Sequence, residues 1–313
     1  MNYQQLTEGK RYQISVLLER KISVSEIADT IKCHRATVYR ELKRNTKSKL
    51  YCPDKAQSAC LIRRKNSAKY RISSTVIDYI RILIELDWSP EQVSNVLKRC
   101  GVPVSHEWIY QYIHEDRRHK GILYRHLRQG RKRYRKGKRT KAEAIKNAVS
   151  IDERPVIVET KKRFGDWEID TVLGKHGTGS IVTLLERKTR FYLIKKVASK
   201  SAKDVTQATI ELLEPFKDHV HTITADNGRE FAYHAEIAKA LDAKVYFAHP
   251  YSSWERGANE NSNGLLRQYV PKGVDLRCVT EERINFAMGR INYRPRKCLG
   301  FKQPAMVFKE LCL

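Results

Sequence analysis

The sequence predicts an all-α front half followed by an α/β half, the latter a mixed five-stranded sheet with helices on its faces. Three observations carry that expectation. Two helical pairs with clear cap signals lie before residue 115. A run of basic residues at 131–141 then breaks the periodic pattern. From about Arg163 onward, alternating and β-branched runs replace the helical period. The 313 residues leave room for two or three domains, and a hydrophobic content of 41% is enough to build cores.

The first helix is expected over residues 7–21, where Tyr12, Ile14, Val16, Leu17 and Leu18 are the apolar positions. Ser23 and Glu26 form a capping box, with Ile22 and Ile27 as its hydrophobic staple, so a second helix runs to about Ile31. After a turn near Lys32–His34, a third helix holds Ala36–Lys43. Ile27, Ile31, Val38 and Leu42 face inward on this reading, and Arg35, Thr37, Arg40 and Lys43 face out. This is a helix-turn-helix layout, whose second helix enters the major groove of double-stranded DNA. There an arginine can pair with guanine and a threonine methyl can touch thymine.

A second such pair begins at Trp88-Ser89-Pro90-Glu91-Gln92. Ser89 is the N-cap, and Pro90 takes the first helical position, where its missing N–H costs nothing. Val93, Val96 and Leu97 form its buried stripe, and Gly101-Val102-Pro103 ends it. Ser105 caps the next helix, expected from His106 to about His114, with Trp108, Ile109 and Tyr112 as core and His106, Gln111 and His114 toward DNA. Residues 131–141 hold eight basic side chains and no acid, among them Arg131, Lys132, Arg133 and Arg135. Such a block links domains and neutralises phosphates without reading sequence.

The charge agrees. The net formal charge is +26, of which about +20 falls in residues 1–150. An excess of that size points to a polyanionic partner. The seven cysteines are scattered with no C-x-x-C pair, which argues against a zinc site or a disulfide framework. They read as reduced thiols, mostly small core residues. No apolar run approaches membrane-spanning length, and the first residues lack a signal-peptide core, so the expected location is the cytoplasm, in association with the nucleoid.

In the back half, residues 167–173, 180–186 and 190–197 read as strands in a meander. Residues 202–213 read as a helix, 221–225 as a strand, 231–241 as a helix and 244–248 as a fifth strand. A third helix starts between Ser252 and Ala258. Asp170 then lies in the first strand, Asp226 at the tip of the fourth and Glu260 on the last helix. Sites in such sheets gather beyond strand ends. Three carboxylates there suit two divalent ions, which can clamp both oxygens of an in-line displacement at phosphorus. Each acid also has a plain reading. Asp226 in Asp-Asn-Gly can be a turn former, and Glu260 an exposed helix charge. Asp166 and Glu168 share strand parity with Asp170, so spacing alone does not choose among them.

Three blocks together are more specific. Gly165-Asp166-Trp167-Glu168-Ile169-Asp170, Thr224-Ala225-Asp226-Asn227-Gly228-Arg229-Glu230-Phe231 and the stretch from Trp254 to Gln268 resemble the catalytic blocks of bacterial transposases of the insertion-sequence-thirty family. The 33 residues between Asp226 and Glu260 resemble that family's gap, and Arg267 stands seven residues after Glu260. Residues 291–305, the early stretch 26–45 and residues 88–112 extend the resemblance over nearly the whole chain.

The resemblance implies an RNase H-like catalytic core and an Asp-Asp-Glu triad of Asp170, Asp226 and Glu260 that binds two Mg2+ or Mn2+ ions. It chooses Asp170 over Asp166 and Glu168 on that ground alone. It further implies binding to terminal inverted repeats, end cleavage and then attack by the freed 3′-hydroxyl on target DNA. At least two protomers are expected where two ends are joined. Asn227, Asn259, Asn263 and Arg267 are expected to position the strand, and Gly264 to let DNA approach. The domain boundaries that follow are a first helix-turn-helix at 1–50, a helical connector at 51–85, a second helix-turn-helix at 86–130, a basic linker at 131–154, the core at 155–270 and a helical segment at 271–313. Two other classes stand beside this one. A DNA-binding repressor with a dead core is opposed by the presence of all three acids. A tyrosine recombinase, suggested only by the 16 tyrosines, would need no metal.

Overall fold

The structure is a computed structural model that describes residues 5–46, 50–66, 72–128, 145, 147–250 and 252–312. The basic run at 131–141, with Arg131, Lys132, Arg133 and Arg135, lies outside the described residues. The chain divides into two compact units, residues 1–76 and 77–313.

The first unit contains α1 (Glu8–Glu19), α2 (Val24–Thr30), α3 (Arg35–Asn45) and α4 (Pro53–Lys65). Thr7 caps α1, and the Ser23–Glu26 capping box starts α2 with both reciprocal bonds in place. The N-cap of α3 is His34, whose Nδ1 accepts from the Ala36 amide. Leu6, Ile14, Ile27, Ala28, Ile31 and Val38 form the core. A buried ion pair crosses it: the Arg11 guanidinium donates to Glu41 at 2.7 Å. Arg11 also donates to the Leu6 carbonyl and to Gln57, and the Tyr51 hydroxyl donates to Glu41. The tilt of α3 on α1 and α4 is therefore set by hydrogen bonds as well as apolar packing.

Helix α5 (Ser74–Glu85) begins in the last residues of the first unit and runs into the second, which continues with α6 (Pro90–Arg99) and α7 (His106–Arg118). Ser89 and Gln92 form a full capping box on α6, and Ser105 caps α7. The core positions of α7 are Ile109 and Ile113. Trp108 and Tyr112, expected inside, are half-buried and stack on each other with ring centroids 5.6 Å apart. A four-residue helix, α8 (Val156–Glu159), precedes the sheet.

The sheet has five strands, β1 (Asp166–Leu173), β2 (Ser180–Glu186), β3 (Tyr192–Val197), β4 (Thr222–Ala225) and β5 (Lys244–Phe247), in the order β3-β2-β1-β4-β5. The β1–β2 and β2–β3 pairs are antiparallel; β1–β4 and β4–β5 are parallel. This is the mixed sheet of an RNase H-like core. Helices α9 (Ala202–Leu213), α10 (His234–Leu241) and α13 (Pro304–Cys312) cover one face, against Trp167, Ile169, Val182, Leu184 and Leu193. Helices α11 (Gly257–Tyr269) and α12 (Glu281–Asn292) cover the other, against Val172, Ile181, Leu185, Tyr192 and Ile194. The helix expected over 231–241 is split: a 3-10 turn at Arg229–Phe231 comes first, and α10 starts only at His234.

Gly165 opens β1 at φ +92°, and a Cβ there would lie 1.8 Å from the His219 carbonyl oxygen, so the backbone crossing admits no side chain. The cysteines differ from expectation. Cys100, Cys278 and Cys298 are exposed and the other four half-buried, and of these only Cys33 and Cys312 pack against a core. Among the described residues no helix is long and apolar enough to cross a membrane.

Removing one partner of the Arg11–Glu41 pair leaves a buried charge unpaired. Arg11→Ala is expected to cost about 3 kcal/mol of stability. Urea unfolding of the full chain, followed by circular dichroism, checks this through an earlier loss of helix signal.

Candidate active site and nucleic-acid interface

The parallel register of β1 on β4 pairs Asp166 with Thr222 and Glu168 with Thr224. Two residues further along each chain come Asp170 and Asp226. The same register therefore brings these two acids to one end of the sheet, on neighbouring strands.

Asp166, Glu168 and Asp170 all point to the α11 face, but their surroundings differ. Asp166 is buried, accepting from Arg163 at 2.6 Å and from the Thr222 hydroxyl at 2.7 Å. Glu168 is buried under α11, accepting from the Asn259 amide at 3.0 Å and paired with Arg187 at 3.3 Å. Both are consumed by the interior. Asp170 keeps a quarter of its side chain exposed. One oxygen accepts from the Thr171 amide, the other from Asn263 Nδ2 at 2.9 Å. Asn263 in turn accepts from the hydroxyl of the buried Tyr192, so a relay from β3 through α11 aims this carboxylate.

Between Asp170 and Asp226 stands Arg256, which the sequence reading did not single out. Its guanidinium is 3.7 Å from Asp170 Oδ1 and 3.3 Å from Asp226 Oδ2, and it donates to the Ile169 carbonyl at 3.1 Å. Asp226 is held from its other oxygen by the Gly228 amide at 3.0 Å. Burial pushes the Asp170 carboxyl up to about 6; Arg256 opposes that rise, while Asp226 and Glu230 add to it.

Glu230 is a second residue not foreseen. It is buried, accepts from the Thr171 hydroxyl at 2.9 Å and pairs with Lys200 at 2.8 Å. Gly228 makes room for it, since a Cβ there would come within 2.3 Å of the Glu230 carboxylate. Its only sequence signal was its place inside the second block.

Glu260 lies in the first turn of α11, exposed. Among the described residues no group of three His, Cys, Asp or Glu side chains is close enough to hold a metal ion. The structure thus brings Asp170 and Asp226 together and leaves Glu260 apart. The pair itself suits a hard divalent cation: both donors are carboxylate oxygens, and both already face one positive group. Magnesium commonly takes one or two carboxylates and fills its remaining positions with water and phosphate.

The other expected residues divide into structural and surface roles. Asn227 donates to the Ala248 carbonyl at 2.5 Å and ties the ends of β4 and β5 together. Asn259 is fully buried on Glu168. Arg267 donates from its two terminal nitrogens to the Leu173 carbonyl at 2.9 Å and the Val270 carbonyl at 3.5 Å. Where Gly264 was expected to admit DNA, the Arg128 guanidinium lies 3.1 Å from the position of a Cβ. On α3, Arg35, Arg40 and Lys43 are exposed and Thr37 is half-buried; the exposed Tyr39, overlooked in the sequence, sits among them. On α7, His106, Gln111 and His114 are exposed beside Tyr110, also overlooked.

The segment after α12 has a role that no motif announced. Gln92 of α6 donates to the Pro295 carbonyl at 2.6 Å and accepts from Arg294, which also donates to Gln268. Asp87 accepts from Tyr269 at 2.9 Å and pairs with His126. The second helical pair is thereby hydrogen-bonded to the end of α11.

The carboxyl of Asp170, raised above its ordinary value, keeps a proton that the unfolded chain has already released. The metal-free protein therefore loses stability from this group as pH rises from about 4 to about 6, and carries the full penalty above that range. Asp170→Asn should unfold at a higher temperature than the parent chain in EDTA at about pH 7.5, with the difference gone near pH 4. Thermal scans at the two pH values check both halves of this statement.

Comparison with known proteins agrees with the two kinds of structure. Residues 2–45 match the family model "Helix-turn-helix domain" and residues 161–253 match "Integrase core domain". The chain is 43% identical over 312 residues to the transposase for insertion sequence element IS4351 of Bacteroides fragilis, covering 98% of this chain and 96% of that protein. It is 34% identical over 98% of its length to the probable transposase for insertion-like sequence element IS1161 of Streptococcus salivarius, covering 95% of that protein. It is 33% identical over 97% of its length to transposase InsI for insertion sequence element IS30A of Escherichia coli K12, covering 83% of that protein. With a helix-turn-helix front and an integrase core behind it, the chain belongs to the insertion-sequence-thirty (IS30) family of DNA transposases, polynucleotidyl transferases that cleave and rejoin DNA strands.

Proposed function

We propose that the chain binds the terminal inverted repeats of its own element and cuts and joins strands by divalent-metal catalysis at Asp170, Asp226 and Glu260. The observation that carries this reading is the continued β1–β4 register, which sets Asp170 beside Asp226 around one shared cation. Two Mg2+ or Mn2+ ions held by these acids would supply the clamp on the entering and leaving oxygens of an in-line displacement. Asp170 is aimed by Asn263 and Tyr192, and Asp226 by the Gly228 amide, so neither carboxylate has to be ordered when substrate arrives. Glu260 completes the set from the first turn of α11. Water is the first nucleophile and a DNA 3′-hydroxyl the second. Joining two ends calls for at least two protomers.

On the DNA side, α3 lies in the major groove, with Arg35, Thr37 and Arg40 toward the bases and Lys43 toward a phosphate. The exposed face of α7, with His106 and Gln111, makes a second contact. The basic run containing Arg131, Lys132, Arg133 and Arg135 tracks the backbone.

Two outcomes test this. With a labelled duplex of the element's end, nicking should require Mg2+ or Mn2+. Asp170→Asn, Asp226→Asn and Glu260→Gln should each abolish it while leaving the gel shift intact. A parent chain that binds the end yet never cuts would make it a repressor with an inactive core. Arg40→Ala should cost about 1–3 kcal/mol of binding to the end and relax preference at one base pair. Lys43→Ala should weaken all sequences alike and lower the salt slope by about 1. Fluorescence anisotropy at several salt concentrations separates the two.

A further inference from the structure

Arg256 occupies the space between the two aspartates, and its bonding there is incomplete. Its side chain is 11% exposed. Its Nε is buried without a hydrogen-bond partner, although the two terminal nitrogens face Asp170, Asp226 and the Ile169 carbonyl. A buried donor left unmade is a standing cost, which marks this position as one the guanidinium can leave. The backbone at Arg256 is a junction between two helical segments, the 3-10 turn Ser253–Arg256 and α11. It is the N-cap of α11, at φ −121° and ψ 30°, and it makes no side-chain capping bond. The next residue is Gly257, around which there is open space. Upstream, the chain is anchored by His249, which bonds Glu255 through one ring nitrogen and Asp152 through the other. Arg256 is thus the junction between that 3-10 turn and Gly257, the first residue of the helix that carries Glu260.

We propose that Arg256 is a tethered counter-ion. It holds the Asp170–Asp226 pair in register while no divalent ion is present, and it must withdraw for one to bind. The proposal rests on the reading that these two aspartates hold such an ion. Two carboxylates brought side by side repel each other, and a monovalent guanidinium at 3.3 and 3.7 Å offsets that repulsion. A dication at the same place does so more strongly, so the two cations compete for one position. Withdrawal acts on the first turn of α11, which couples ion binding to the placement of Glu260 one turn further on.

The test uses the full-length chain and Mn2+ as probe. Isothermal titration compares the parent protein with Arg256→Gln, Arg256→Lys and Asp226→Asn. Loss of the competing charge should tighten Mn2+ binding in Arg256→Gln by on the order of tenfold, while Arg256→Lys stays within about threefold of the parent. Should Arg256→Gln fail to fold, hydrogen exchange of the parent chain carries the test alone. There Mn2+ should speed amide exchange at residues 256–260, and should not do so in Asp226→Asn. Mn2+ binding that disappears in Asp226→Asn but is equal or weaker in Arg256→Gln overturns the counter-ion role and leaves the metal site standing. Mn2+ binding by the parent with unchanged exchange at 256–260 does the same. Absence of Mn2+ binding in the parent overturns both readings.

Discussion

The parallel pairing of β1 with β4 places two carboxylates at the same height on adjacent strands, where they would repel each other if nothing else stood near. Much of the catalytic half answers that constraint. Arg256 lies between the carboxylates. Asn263 and the Thr171 amide hold Asp170, and the Gly228 amide holds Asp226. Helix α11 serves the arrangement three times, supplying Asn259 to Glu168, Asn263 to Asp170 and Glu260 to the solvent-facing side. A one-residue slip of β1 would turn Asp170 into the opposite core and Ile169 into the site. The neighbouring pairs Asp166–Thr222 and Glu168–Asn259 are buried hydrogen bonds that make such a slip expensive.

Buried charge recurs as a positioning device in both units. Arg11 and Glu41 set α3 in the first. Arg163 with Asp166, and Arg187 with Glu168, line the root of β1 in the second. Such pairs add little net stability over apolar packing of the same volume, but breaking one is costly. They sit under α3, the last helix of the helix-turn-helix domain, and under the acid-bearing strand. The second helical pair follows the same logic. It is joined to the end of α11 through Gln92, Arg294, Gln268, Asp87 and Tyr269, so the α6–α7 pair and the helix bearing Glu260 share one hydrogen-bonded frame.

The local elements were legible in the sequence because their causes are local. Ser23 with Glu26, Ser89 with Pro90, and Ser105 announced helix starts through short-range hydrogen bonds, and the alternating run of β1 announced a strand. Charge and block spacing indicated a DNA-processing chain, and the resemblance chose Asp170 among three acids of equal parity. Composition misled where burial depends on distant neighbours. Three of the cysteines are exposed and only Cys33 and Cys312 pack against a core, and Trp108 and Tyr112 stay half-buried and stack on each other instead of filling an interior.

What the tertiary structure alone decided is which polar groups face one another. Asp166, Glu168 and Asp170 look alike along the strand, and only the packing of α11 and β4 buries two of them in bonds and leaves the third open. Arg256 and Glu230 carry no signal of their own, because their partners are 30 or more residues away in sequence. The sequence by itself determined helices, strands and the chemistry available to them, since capping and periodicity act over a few residues. The pairing of charges across the sheet is a property of register and helix docking, which no short stretch of chain encodes.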